Sequence, residues 1–443
     1  MHRFLSDPRI AGFEALLGHV AVKRAINNVL DAARSRSDST ADSFGMLLDR
    51  VMQKLAQAQA GNLVRVVNAT GVLLHTNFGR APLSQAALAA MQHIGSAYSN
   101  LEYDLVCGVR DSRYARVSQL ISDLTGAQDA LVVNNCAAAV LLVLDTFARG
   151  REVVVSRNQL IEIGGGFRLP DVMQRSGVEL VEVGTTNKVY LRDFEAALNA
   201  RTALLLRTHP SNFRMQGFVA EVSGSNLAAL GKRVAIPTFE DLGSGALIDL
   251  ARFGLPHERT VQEAVADGID LTAFSGDKLL GAPQAGIIVG NRTHIARLRS
   301  NPLLRALRVD KMTLAALGAT MQLYNTPSGI MQIPLYRMLA TTLDELDARA
   351  RTYKDVLERG GVSATVEATL AYTGGGTLPL AQVPSRGLAL EVAGTAALGL
   401  ARRLRALELP VVVRVQEGRC IFDLRTVEPA MDVLVQQMLC RVV

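Results

Sequence analysis

The stretch Phe274-Ser275-Gly276-Asp277-Lys278-Leu279-Leu280-Gly281, FSGDKLLG, sets a lysine in a tight connection between two runs that read as buried strands. Ile269-Asp270-Leu271-Thr272-Ala273 leads into it, and Ala285-Gly286-Ile287-Ile288-Val289-Gly290 leads away. The gap is too short for a helical crossover, so Leu271–Ser275 and Gly286–Val289 are read as an antiparallel pair. Upstream, further short apolar or β-branched runs occur at Leu131–Val133, Val153–Ser156, Leu180–Val183, Leu204–Arg207 and Val234–Phe239. Helix-like stretches separate most of them. One is Val117, Leu120, Ile121 and Leu124 at i, i+3, i+4 and i+7, closed by Gly126. Long crossovers between short buried strands predict an α/β domain with a mainly parallel, seven-stranded sheet covered on both faces.

The large domain is expected over 61–328. Residues 1–60 hold two amphipathic helical stretches, Ala21–Leu30 and Met46–Ala60, around a polar break, SRSDSTADS, and predict a helical N-terminal module. After NTPSG at 325–329, a long helix from about Leu335 to Arg359 precedes strands near Leu388–Val392, Val411–Val415 and Cys420–Leu424. That predicts a small C-terminal α+β domain over 329–443.

With 443 residues, 49% of them hydrophobic, the chain can bury a large core. Its longest uninterrupted apolar run, Ala137–Leu144, is far too short to span a bilayer. The opening MHRFLSDPRI lacks the apolar core of a secretory signal. Cys107, Cys136, Cys420 and Cys440 are scattered without a CxxC or a metal-like cluster with histidine. These features predict a cytoplasmic protein with reduced thiols, no bound metal and no membrane partner. The net charge of +6 is concentrated: Arg292, Arg297, Arg299, Arg305, Arg308 and Lys311 face one acid, Asp310, between 292 and 311. That segment reads either as a solvated helix face or as a grip for a polyanion.

Lysine is scarce, seven against forty arginines (47 minus 7), so its use at position 278 carries information. Only lysine can lose its proton near neutral pH and condense with a carbonyl. A lysine that carries pyridoxal 5'-phosphate (PLP) as a Schiff base demands an anion cradle, a carboxylate for the pyridine nitrogen and neighbours for the ring. Asn135, Cys136 and Ala137, where a strand gives way to a helix of small residues, offer the cradle. Asp241, in TFEDLGSG (238–245), would follow a buried strand at the sheet's carboxyl edge, where open α/β sheets bind ligands. A charge-assisted hydrogen bond of roughly 1.5–3 kcal/mol is enough to keep that nitrogen protonated. Ser275 can add a hydroxyl to the phosphate, and His209 can stack on or hydrogen-bond the ring. Each has an ordinary reading too: a snorkelling lysine, a turn, a capping aspartate, a linker serine, a loop histidine. Gly164-Gly165-Gly166 and Gly184 read as turns, since no GxGxxG or Walker pattern surrounds them.

With those residues in view, the chain resembles the bacterial selenocysteine synthase family, the L-seryl-tRNA(Sec) selenium transferases. The matching stretches, in order, are TGVLLHTNFGRAPLS (70–84), LEYDL (101–105), NNCAAAVLL (134–142), EIGGGFRLPDVM (162–173), EVGTTNK (182–188), SNFRMQGF (211–218), DLGSGALIDL (241–250), FSGDKLLGAPQAGIIVG (274–290) and NPLLRALRVDKMTLAAL (301–317). The resemblance implies a fold-type-I PLP-dependent transferase with Lys278 as the Schiff-base lysine. It implies Arg80, Arg305 and Arg308 as the grip on selenophosphate, and the helical module as a tRNA contact. It also implies a homo-oligomer, a ring of ten subunits built as a pentamer of dimers, with active sites shared between neighbours. The chain departs from the family at Asn158-Gln159, where Gly-Glu is usual, and at Asp111, where glycine is usual.

The activity so implied converts seryl-tRNA(Sec) to selenocysteinyl-tRNA(Sec). Lys278 removes the Cα proton, the β-hydroxyl leaves as water to give an aminoacrylyl-tRNA, and selenium from selenophosphate adds. Asp277 assists proton transfer or orients an arginine. The rival readings are a PLP-dependent lyase acting on a small phosphorylated amino sugar or amino acid, and a non-catalytic tRNA-binding protein. The pairing of Asp241 with Lys278 disfavours the second.

Overall fold

The computed structural model describes residues 1–34, 43–60, 63–163, 166–378 and 380–442. The polar break at 35–42 and the pair Gly164–Gly165 lie outside those residues. The described chain forms two compact units, Met1–Val67 with Leu404–Val412, and Asn68–Arg403 with Val413–Val443. Among the described residues no helix is long and apolar enough to cross a membrane.

In the first unit, helices α1 (Pro8–Leu17), α2 (His19–Arg34) and α3 (Phe44–Ala60) pack around Ile10, Val22, Ile26, Leu48, Val51 and Leu55. Asp7 caps α1 by accepting from the Arg9 amide, and Pro8 occupies the first helical position, where a missing N–H is harmless.

The second unit is built on a seven-stranded sheet. Its strands are β1 (Asp129–Val133), β2 (Glu152–Ser156), β3 (Glu179–Val183), β4 (Thr202–Thr208), β5 (Thr238–Gly243), β6 (Leu271–Ser275) and β7 (Gly286–Gly290), in the order β1-β7-β6-β5-β4-β2-β3. All the pairs are parallel except those of β7, which is antiparallel to both β6 and β1. Helices α4 (Cys136–Ala148), α5 (Leu169–Arg175), α6 (Leu191–Ala197), α7 (Gly224–Val234) and α8 (Val261–Ala266) supply the crossovers. β1, β2, β6 and β7 are buried almost throughout, which is why they read as continuous apolar runs rather than alternating ones.

Two boundaries differ from expectation. The strand anticipated at Val234–Phe239 is β5, Thr238–Gly243, and Val234 ends α7. Ala235 adopts a left-handed cap with φ 55°, and Pro237, lacking an N–H, can only accept, from the Leu205 amide at 3.0 Å. Asp241 therefore lies inside the strand rather than beyond it. Helices α9 (Leu304–Leu307) and α10 (Lys311–Leu323) follow β7, and the long helix expected at 335–359 is two helices, α11 (Pro334–Ala340) and α12 (Leu343–Arg359). Thr342 breaks the run as the N-cap of α12, in a capping box with Glu345.

After α12 come four antiparallel strands, β8 (Ser363–Tyr372), β9 (Gln382–Glu391), β10 (Val411–Gln416) and β11 (Arg419–Asp423). β8 was not anticipated, although SATVEATLAY alternates small or apolar with polar residues over its first half. At its end, Val72 bridges Tyr372 in parallel, and the Leu73 and Leu74 amides donate to the Tyr372 and Thr373 carbonyls at 2.9 Å each. The small sheet thus fixes the segment that leads to Arg80.

Gly286 sits where β7 meets the turn into α4. A Cβ there would fall 2.0 Å from the Asn135 carbonyl oxygen, which cannot move without dragging the helix start. Gly286→Ala is expected to lower the urea unfolding midpoint, by about 1–3 kcal/mol of stability. Gly12→Ala, in the middle of α1 with nothing within 4 Å, should leave stability unchanged or raise it by up to about 1 kcal/mol.

Candidate active site

Because six strands of the sheet run the same way, their carboxyl ends gather along one edge. Asn135 follows β1, His209 follows β4, Asp241 lies near the end of β5, and Lys278 follows β6. There they line a cavity of about 360 Å³ together with Arg80, Cys136, Ala137, Thr208, Ser211, Gly243, Ser275, Asp277 and Gln284. Of the residues singled out from sequence, Arg305 and Arg308 alone are not in its wall. Arg305 is exposed on α9. Arg308 lies beside the end of β1, bridging Val133, and its guanidinium stands 4.0 Å from Glu102. The basic segment is not a plain solvated face either, since Arg299 forks onto the Asp129 carboxylate at 2.8 Å and Arg297 lies over the Phe147 ring.

Lys278 is only 7% exposed. Its connection is held from several directions. The Leu279 amide donates to the Ser244 carbonyl at 3.0 Å, and the Tyr336 and Tyr324 hydroxyls donate to the Leu279 and Leu280 carbonyls at 2.7 Å each. Gly376, from the turn after β8, closes over the lysine: a Cβ there, at φ 83°, would stand 2.9 Å from Nζ. Across the cavity, Gly243 leaves open a space that a side chain would fill, with Lys278 Nζ 3.8 Å and Asp241 Oδ1 3.9 Å from where its Cβ would be.

Asn135 accepts from the Ala138 amide at 2.9 Å and so caps α4. The Cys136 and Ala137 amides, one turn too early for an intrahelical acceptor, remain at the positive end of a thirteen-residue helix. The Arg80 Nε–H and the Thr208 hydroxyl are buried without partners among the described residues. Both belong to the cavity wall, so donors for an anion are in place. Arg80 holds φ 61°, uncommon for a residue with a side chain, and its Nη1 donates to Asp277 Oδ2 at 2.7 Å.

Asp241 is half-buried and lines the cavity. Burial raises its carboxyl pKa to about 6; the Lys278 ammonium and the Cys136 thiol, 3.7 Å from Oδ1, oppose that rise. Burial and the neighbouring carboxylate push the Cys136 thiol far above its ordinary value, so it is a weak donor here rather than a nucleophile. His209 gives its backbone N–H to the Asp241 carbonyl at 2.9 Å, while its Nε2 lies 3.1 Å from Glu258, a buried carboxylate that sequence reasoning passed over. Nothing in PHER (256–259) marks Glu258 out. The run TGGGT at 373–377, in contrast, was a visible signal for a backbone making a close approach.

A buried lysine, a half-buried aspartate, a glycine-walled gap and the open end of a helix fit PLP by their chemistry. The fold is that of the fold-type-I PLP-dependent enzymes. A solved structure of D-glucosaminate-6-phosphate ammonia-lyase superposes with a TM-score of 0.59 at 21% identity, covering 86% of this chain and 96% of that one, a likeness of fold alone. The chain belongs to the L-seryl-tRNA selenium transferase family, whose profile matches residues 66–428, and the selenocysteine synthase N-terminal profile matches residues 3–34. The L-seryl-tRNA(Sec) selenium transferase of Geobacter metallireducens is 47% identical over 429 residues, 94% of this chain and 93% of its own. That of Moorella thermoacetica is 49% identical over 389 residues, 87% and 83% of the two chains.

The raised Asp241 pKa has a sign that can be tested. The native state holds this proton more tightly than the unfolded chain, whose carboxyl titrates near pH 4. The resulting contribution to stability is fully present below about pH 4 and is lost as pH rises through about 6. In cofactor-free protein, Asp241→Asn should therefore be the more stable form at pH 8, by on the order of 1–3 kcal/mol. The advantage should disappear below pH 4, as read by urea unfolding across that range.

Proposed function

We propose that this transferase converts seryl-tRNA(Sec) to selenocysteinyl-tRNA(Sec), with PLP carried on Lys278 and selenophosphate as the selenium donor. The observation that carries the reading is Lys278 itself, enclosed in a cavity between the open end of α4 and the Asp241 carboxylate. It lies in a chain that matches relatives of that name along nearly its whole length.

The α4 amides, Ser275 and the unpartnered Thr208 hydroxyl would hold the phosphate. The Asp241 carboxylate would accept a hydrogen bond from a protonated pyridine nitrogen. When bound, PLP supplies an electron sink for charge developing at the seryl Cα. Lys278 Nζ would take the Cα proton; the Cβ–O bond breaks and the serine hydroxyl, taking up a proton, leaves as water, selenium bonds Cβ while hydrolysis of its P–Se bond releases phosphate, and Lys278 would return a proton to Cα. Its flexible stem allows this movement, while Gly376 and the two tyrosine hydroxyls keep its anchorage still.

Arg80 binds the donor's oxyanions, and Asp277 orients it through the 2.7 Å ion pair. Arg305 and Arg308 are assigned to the same donor by their place in the family pattern and by the local excess of positive charge. The helical unit of residues 1–60 takes the tRNA, with much of the affinity electrostatic and falling with salt. The working protein is a homo-oligomer, a ring of ten in this reading.

Incubation with seryl-tRNA(Sec) and selenophosphate, followed by identification of the esterified amino acid, tests the proposal. Wild-type protein should yield selenocysteine, and Lys278→Ala none. Absence of seryl-tRNA(Sec) binding, with turnover of a phosphorylated amino sugar instead, would sink the reading.

A further inference from the structure

We infer that Glu258 is a positioning residue that acts through His209, fixing which imidazole nitrogen is left for the occupant of the cavity. The inference rests on the reading of that cavity as a PLP site.

The loop bearing Glu258 is pinned on either side. Arg259 donates from Nε and Nη2 to the two carboxylate oxygens of fully buried Glu240 at 2.9 and 3.0 Å, and from Nη2 to Asp267 at 2.6 Å. Thr260 and Glu263 form a capping box at the start of α8. On the other side, His257 lies 3.2 Å from both Asp249 and Glu263. Between these anchors Glu258 is turned inward, 3% exposed, and its Oε1 lies 3.1 Å from His209 Nε2. His209 is its only side-chain partner among the described residues. A carboxylate buried with a single partner is costly unless that partner answers it, so the contact is a strong constraint on the ring.

The two nitrogens of an imidazole are not equivalent, and the hydrogen bond made by one decides what the other offers. With Nε2 given to Glu258, only Nδ1 and the ring face remain for a molecule in the cavity. His209 is held at its other end as well, by the bond from its backbone N–H to the Asp241 carbonyl. Glu258 thus sets the orientation of a residue in the wall that also carries Asp241 and Lys278, without being in that wall itself.

The test is a double-mutant cycle read on PLP affinity, by titrating cofactor-free protein and following the absorbance of the bound vitamer. Glu258→Ala and His209→Ala should each weaken PLP binding about tenfold, and the double variant should be no more than about twofold weaker than His209→Ala. Glu258→Gln, which keeps an acceptor oxygen, should stay within about threefold of wild type. If Glu258→Ala does not fold, Glu258→Asp carries the same test, with about a threefold loss that vanishes in the His209→Ala background. Multiplying losses in the double variant, or unchanged affinity in Glu258→Ala (in Glu258→Asp where the alanine variant does not fold), would overturn the inference and leave the PLP reading standing. Wild-type protein that takes up no PLP would overturn both.

Discussion

Lys278 and Asp241 bring opposite charges to one enclosed space, and the rest of the molecule is arranged around keeping them there. Removing either charge from water is unfavourable, and their attraction offsets part of that penalty. Here burial prevails at Asp241, which is why its carboxyl holds a proton to about pH 6 despite the ammonium nearby. A carboxyl poised in that range is ready to ionise fully when a second positive group arrives. In the proposed reaction that group is the protonated ring nitrogen.

The sheet supplies the meeting place. Parallel strands with helical crossovers deliver Asn135, His209 and Asp241 to one edge, and reversal at β7 delivers Lys278. Reversal demands a connection so tight that at Gly276 the Pro283 carbonyl oxygen would lie 2.4 Å from a Cβ. Tyr324 and Tyr336, their hydroxyls donating to successive carbonyls, then hold the turn against the core. Asp277 and Arg80 extend the constraint to a segment nearly two hundred positions away in sequence.

Much of this was legible beforehand. Buried parallel strands announce themselves as short apolar runs, so all seven strands of the sheet were found, along with the reversal at β7. The cavity residues on strand ends were found for the same reason: chemistry-bearing side chains stand out after apolar runs. What escaped was set by tertiary contact. Pro237 moved the start of β5, and Thr342 split a helix whose periodicity looked continuous. Glu258 reaches His209 from a loop with no local pattern, Gly376 lies in a glycine run whose target in the fold the sequence does not name, and Arg305 and Arg308 belong to a matching motif yet stand outside the cavity wall.

Gly376 bears on how such a site comes into being. Lys278 is enclosed partly by backbone made about a hundred residues after it, carried on a hairpin whose own strands must first pair. A chain still emerging from the ribosome can possess the lysine, the aspartate and the helix end and yet leave the amine open to water on its remaining side. Full enclosure of the amine is thus a property of the finished polypeptide, acquired late, and a truncated product with an intact sheet would leave that side of it open.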